Sequence, residues 1–223
     1  MRETKPNWWT NGFWAGMLWQ LYHASGKELF REVAEKSTEL MRNNLDTLFV
    51  DLHHDVGFQF LHTAVAQYKI TQDEDAKNLA LHAATVLAGR FNVMGEFIRA
   101  WNLDRTGWMI IDTMMNLPLL YFATETLGDP RFAEVANRHA YTAMRNLLRE
   151  DGSCAHIAIL DPVAGELLET PAGQGYADGS SWSRGQAWAL YGFALSYRHS
   201  GKQEFLDAAK RSAHYFIANV ALD

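Results

Sequence analysis

The sequence predicts an all-α fold, an α/α barrel or curved α-solenoid with inner and outer helix layers, and three observations predict it. A turn-and-helix pattern recurs four times, four other segments are apolar nearly all round, and short connections alternate with long ones. Recurrence of one helix-opening pattern marks stacked helical hairpins.

The repeat opens charged, amphipathic helices. Gly26-Lys27-Glu28-Leu29-Phe30 is followed by Val33 and Ala34, Gly128-Asp129-Pro130-Arg131-Phe132 by Val135 and Ala136, and Gly201-Lys202-Gln203-Glu204-Phe205 by Ala208 and Ala209. A fourth copy begins near Gln72, with Ala76, Leu79 and Ala80 at the matching offsets and the turn glycine lost. Residues 12–23, 56–68, 112–126 and 183–197 read as helices of a second kind, and the last has no charged side chain from 185 to 197. A helix without a polar face is buried on all sides, which assigns these four to an inner layer. Pro118 lies inside the third and is expected to kink it, because it removes one backbone donor.

Connections from inner to outer helix are short, at 25–26, 71–72, 127–128 and 200–201. The returns are long, at 44–55, 92–111 and 150–182, with 8–11 as the stub of another. The long connections are therefore expected on one rim, at the N-termini of the inner helices, where unpaired N–H groups and the macrodipole favour an anionic ligand. Four inner helices make an open arc whose edges expose apolar surface. The expectation is a single domain over residues 1–223, part of an α/α barrel and truncated at both ends, with self-association through the open edges as one way to cover them.

Composition narrows the partners. A net charge of -6 without a Lys or Arg run excludes the basic footprint of nucleic-acid binding. The single cysteine, Cys154, excludes an internal disulfide and reads as a small buried or loop thiol. No stretch approaches the roughly 20 apolar residues of a membrane span, and the start MRETKPNWW lacks a leader pattern. The chain reads as soluble, with the cytoplasm as its expected compartment. Eight tryptophans, many in the connections, point to flat ligands such as sugar faces.

Acidic residues stand at two junctions where a connection enters an apolar run, Asp55 in HHDVGFQF and Asp112 in WNLDRTGWMIIDTMM. Asp is a preferred N-cap, worth about 1 kcal/mol, so each is a cap or a catalytic group. Two carboxylates facing one cavity repel, which lets one keep its proton while the other ionises, as acid and base work demands. His53, His54 and Asp55 could also bind a metal, but adjacent residues seldom point at one ion, so neither metal nor cofactor is expected. Arg184 opens the last inner helix, where the dipole disfavours it, and that placement suits a grip on a carboxylate. Trp182 and Trp188 flank it, His156 and Gln174 lie in the third long connection, and Trp9 and Trp101 lie in loops on the rim.

At these residues the chain resembles the unsaturated glucuronyl hydrolases of glycoside hydrolase family 88. WTNGFWAGMLW, HHDVGFQF, IIDTMMNLPLL after the Trp101 loop, and SSWSRGQAWALYGF carry the resemblance, in that order and over nearly the whole chain. It implies a closed six-hairpin barrel of which about four hairpins are present. The implied substrate is an oligosaccharide from a polysaccharide lyase with a 4,5-unsaturated uronic acid at its nonreducing end. The implied reaction hydrates the vinyl ether, and the hemiketal so formed opens and expels the remaining sugar. Carried over by motif, Asp112 is the general acid and base and Asp55 the assisting carboxylate. His54, Trp101, His156, Gln174, Trp182, Arg184 and Trp188 line the sugar subsite, with Trp9 and Asn11 on the N-terminal aromatic wall. The alternatives are an unsaturated rhamnogalacturonyl hydrolase or a noncatalytic α-solenoid binding module.

Overall fold

A computed structural model describes residue 5 and residues 7–47 and 50–220. Residues 1–4 and 221–223, the ends expected to be truncated, lie outside the described residues. Helices pair in sequence as hairpins. Helix α1 (Asn11–Ser25) packs on α2 (Glu28–Thr47), and α6 (Pro118–Leu127) on α7 (Pro130–Asn146). The last pair is α8 (Ser183–Ser200) and α9 (Gln203–Asn219). Between them α3 (Val56–Phe60) runs through a π-helical stretch (Leu61–Val65) into α4 (Ala66–Thr71), and α5 (Glu74–Ala88) follows.

The turn signals act as their chemistry requires. Gly26, Gly128 and Gly201 end α1, α6 and α8 in the left-handed region, at φ 65°, 68° and 70°, where a side chain is costly. In the copy without glycine, Gln72 holds φ 60° and its Nε2 donates to the carbonyls of Tyr68 and Lys69. Two of the following helices, α5 and α7, start on side-chain caps. Asp73 accepts from the Asp75 and Ala76 amides, and Asp129 from the Arg131 amide.

Three expectations about the inner helices are corrected. Pro118 does not kink the third one but begins it, as the first residue of α6, because proline lacks only a donor that is orphaned there anyway. Residues Ile111–Met115 form a separate 3-10 turn, so Asp112 is not at the N-terminus of the α-helix, which starts at Pro118. Nor are all four inner helices buried on every side. Every residue of α3 is buried, as is Leu119–Ala123 of α6, whereas α1 exposes Trp14, Met17 and Leu21, and α8 exposes Tyr191. No described helix covers that face, which borders an open cavity of about 700 Å³ lined by Phe13, Phe58, His62 and Trp188 among others.

The long connections meet, and they carry strands that helical periodicity does not reveal. β1 (Phe91–Asn92) and β2 (Phe97–Ile98) form a hairpin. β3 (Trp108–Ile110), β4 (Ile157–Leu160) and β5 (Leu167–Glu169) form an antiparallel sheet in that order, with Ile110 opposite Ile157. β3 and β4 thus tie the second connection to the third. The first is tied to the second by the His54 amide on the Ala100 carbonyl at 3.0 Å. Asn102 adds to this tie by donating to the carbonyls of Val50 and Leu52. Buried Arg90 donates to the carbonyls of Leu52, Arg99 and Ala100, and burial lowers its pKa to about 10.

Candidate active site

Asp55 occupies the N-cap position of α3 without capping it. Its backbone, at φ -70° and ψ 5°, is outside the extended region of a capping residue, and its carboxylate bonds no helix amide. The carboxylate instead lies 2.9 Å from Nδ1 of His53 and 3.5 Å from Nε2 of His54. Burial pushes the Asp55 carboxyl up, but His54, His53 and Arg90 outweigh it and hold the group below the usual carboxylate range. Burial also holds the His54 imidazolium down, against the pull of Asp55 and Asp112. The pair therefore reads as a carboxylate beside a neutral imidazole, and His54 feels both acids.

Asp112 is placed by the 3-10 turn, with its side chain largely buried. Its Oδ2 has no hydrogen-bond partner, and Nε2 of His156 stands 3.4 Å away, also without one. Nδ1 of buried His156 accepts the Gln174 amide at 3.0 Å, so in the neutral ring the proton is on Nε2, the nitrogen that stands by Asp112. Gly173, at φ 60°, lets the loop close on that ring, where a Cβ would strike His156 Nδ1. Next to Asp112, the Thr113 hydroxyl is 2.7 Å from Nδ1 of His54. The two junctions thus share one hydrogen-bonded centre.

Aromatic rings surround it. Trp182 packs on His156 with centroids 4.6 Å apart, and Trp101 stands edge-on to His54 at 6.3 Å. The Arg184 guanidinium lies over Trp182 at 4.3 Å and over Trp9 at 5.3 Å, and it donates to Gln174 Oε1 at 3.1 Å. Trp9 continues through Phe58 to Trp188. Nearly all the residues expected in the site therefore converge. Asn11 is used locally, its side chain donating to the Lys5 carbonyl at 2.9 Å.

The model of Glycosyl Hydrolase Family 88 matches residues 1–223. The chain belongs to that family. Within family 88, the unsaturated glucuronyl hydrolase of Bacillus sp. (strain GL1) is 42% identical over 219 residues, 96% of this chain and 58% of that protein. The unsaturated chondroitin disaccharide hydrolase of Streptococcus pneumoniae is 36% identical over 96% of this chain and 55% of its own length. The chain thus spans little more than half the length of these relatives. The crystal structure of the Bacillus enzyme, described as responsible for the degradation of glycosaminoglycan, superposes with a TM-score of 0.93 at 41% identity, over 97% of this chain and 58% of that one. An Asp-to-Asn variant from Streptococcus agalactiae, solved with dGlcA-GalNAc6S, gives 0.79 at 34% identity, over 99% and 53%. The all-α barrel architecture agrees with these structures.

His53, Thr113 and Asn116 also contact this centre, and the last two are silent in the sequence because a lone Thr or Asn in an apolar run carries no signal of its own. Contrary to the argument from adjacency, His53, His54 and Asp55 do converge, with ligand atoms within 4.8 Å of one another. Among the described residues they are the group whose geometry could hold a metal ion, and the contact of His53 with Asp55 accounts for the convergence without one. Cys154 is buried and its thiol is pushed up by burial, which fits the inert reading.

Proposed function

We propose that this chain carries the catalytic centre of an enzyme that removes a 4,5-unsaturated uronic acid from the nonreducing end of lyase-generated oligosaccharides. The observation that carries the reading is Asp112 Oδ2, a buried carboxylate oxygen without a protein hydrogen bond, 3.4 Å from Nε2 of His156, whose ring packs on Trp182, in a centre linked to the Asp55–His54 pair through Thr113. Buried polar atoms of folded proteins are nearly always hydrogen-bonded, so a carboxylate oxygen open on the protein side suits a group that engages substrate or water.

In this reading Asp112 delivers a proton to C4 of the C4=C5 double bond, and positive charge develops at C5 and the ring oxygen. Water, losing its proton to the same carboxylate, adds its oxygen to C5. The C5 hemiketal opens, C1 becomes a hemiacetal, and the remaining sugar leaves as its alcohol. Asp55 stays ionised beside neutral His54 and stabilises the developing charge. Arg184, stacked between Trp9 and Trp182 with part of its fork free, binds the uronate carboxylate, and Trp101 and Trp188 face the sugar. The names of the relatives support this substrate class over a rhamnogalacturonan fragment or a noncatalytic solenoid. A cytoplasmic location belongs to the same reading and is checked by cell fractionation. Among the described residues no helix is long and apolar enough to cross a membrane.

A panel of lyase-generated disaccharides, followed by the ultraviolet absorbance of the conjugated uronate, tests the reaction. Hydration consumes that absorbance. Release of sugar with the absorbance intact would replace this reading by direct glycoside hydrolysis between two carboxylates. Asp112→Asn is expected to abolish turnover and leave substrate binding nearly intact. Substantial activity in the folded variant would remove Asp112 from the acid role.

A further inference from the structure

We infer that Asn116 is a positioning residue that caps helix α3 in place of Asp55 and tethers the two acids to each other. The inference rests on the roles proposed above for Asp55 and Asp112, but its geometry stands on its own. The first amides of a helix have no partner within it, and the residue at the N-cap normally supplies one to the third. In α3 the third residue is Phe58. Its N–H is not bonded by Asp55 but by Oδ1 of Asn116, 58 residues away, at 2.6 Å. Both residues are buried, so water is no substitute.

The same amide group faces the other acid. Nδ2 of Asn116 donates to the Asp112 carbonyl at 3.2 Å. The backbone of Asn116 is engaged as well, its N–H on the Thr113 carbonyl at 2.9 Å and its carbonyl accepting from the Leu119 amide at 3.2 Å. Both its main-chain groups and both its side-chain polar atoms are thus committed, and the residue cannot turn without breaking contacts on both sides. The close approach depends on Gly57, where a Cβ would come within 2.5 Å of Cα, Cβ and Oδ1 of Asn116. One planar amide therefore spans the two acid-bearing junctions as a spacer. Its consequence for chemistry is a division of labour. An Asp that caps its own helix points its carboxylate at backbone amides. With Phe58 satisfied from outside, the Asp55 carboxylate is free to face His53 and His54, and the turn carrying Asp112 is held at a set distance from it.

Two variants of this chain test the assignment. Asn116→Ala removes both side-chain bonds. Asn116→Asp keeps an acceptor for Phe58 but loses the donor to the Asp112 carbonyl. Both are expected to lower kcat by about 10- to 100-fold on an unsaturated disaccharide, with KM within about twofold, the scale of a small misplacement of a catalytic group. Hydrogen exchange separates them. The Phe58 amide should lose protection in Asn116→Ala and keep it in Asn116→Asp. A merely structural role would lower the folded fraction without splitting kcat from KM or releasing that one amide. Unchanged kcat in Asn116→Asp or in folded Asn116→Ala overturns the inference, as does a Phe58 amide equally protected in all three proteins. If the parent chain turns over no unsaturated uronide, the proposed function fails, and the exchange data alone still decide whether Asn116 is the cap.

Discussion

The chain should lose stability in mild acid through a histidine beneath the site. His139 on α7 is fully buried, its Nδ1 accepts the Ile98 amide of β2 at 2.9 Å, and burial, assisted by His54, pushes its pKa down to about 3 from the usual 6.5. The unfolded chain therefore binds a proton at His139 that the folded chain refuses, and stability contributed by the neutral ring is lost as pH falls below 6.5. At pH ~5, about 1.5 pH units below the unfolded value, the cost is about 2 kcal/mol at 1.36 kcal/mol per unit, and near pH 7 it is close to zero. His139→Gln keeps an amide oxygen for Ile98 and does not titrate. Its intrinsic cost is independent of pH, and the buried His54 and His62 contribute equally to both proteins and cancel. Denaturant unfolding of both proteins at the two pH values gives the double difference. The wild-type advantage over His139→Gln should shrink by about 2 kcal/mol from pH ~7 to ~5. A difference that does not change with pH would refute the reasoning, because His139 would then be protonated in the fold or reached by water. Since β2 leads directly to Ala100, which holds the His54 amide, acid unfolding by this route would also loosen the site.

Two further perturbations separate binding from packing. Arg184→Lys keeps the charge but loses the planar fork stacked between Trp9 and Trp182, so KM for an unsaturated disaccharide should rise about tenfold with a smaller effect on kcat; an unchanged KM would remove Arg184 from carboxylate binding. Gly192→Ala places a methyl group against Cβ and the backbone of Met114, which fully buried residues cannot yield easily, and thermal or denaturant unfolding should show a loss of about 1–3 kcal/mol; a neutral result would mean that α8 can slide off the 3-10 turn.

The hairpins were legible because their signals are local. A left-handed glycine, an Asp three residues before a buried position and a charged face all lie within one turn of the boundary they mark. The sheet was not legible, since Trp108–Ile110 and Ile157–Leu160 are short apolar runs that pair across two intervening helices, a partnership no local pattern marks. The start of α6 was misread for a related reason. Residues 109–123 are apolar apart from Asp112, Thr113, Asn116 and Pro118, and periodicity cannot say where in such a run a strand becomes a 3-10 turn and then a helix. In the site, Asp55 and Asp112 were visible as acids in apolar surroundings, and His156, Arg184 and the tryptophans as polar or aromatic residues in long connections. Thr113 and Asn116 were invisible because their meaning is relational. Each is an ordinary residue until His54 or Phe58 is brought to it by packing.

The sequence posed Asp55 and Asp112 as a choice between capping and chemistry, and the fold resolves it differently for each. Asp112 leaves the choice by leaving the α-helix, because it sits in a separate 3-10 turn before Pro118 and caps no helix amide there. Asp55 stays at the N-cap position and is replaced in that duty by Asn116. Both routes end with a carboxylate that bonds no helix amide and lies against an imidazole. His54 at Asp55 is kept neutral by burial, and the ring of His156 at Asp112 is oriented through the Gln174 amide. Helix capping and acid–base work make opposite demands on a carboxylate, the first asking for a permanent bond to backbone amides and the second for an oxygen that is open until substrate arrives. A site built at helix entrances must therefore find its caps elsewhere, and a buried amide donated by the neighbouring turn is how this chain does so.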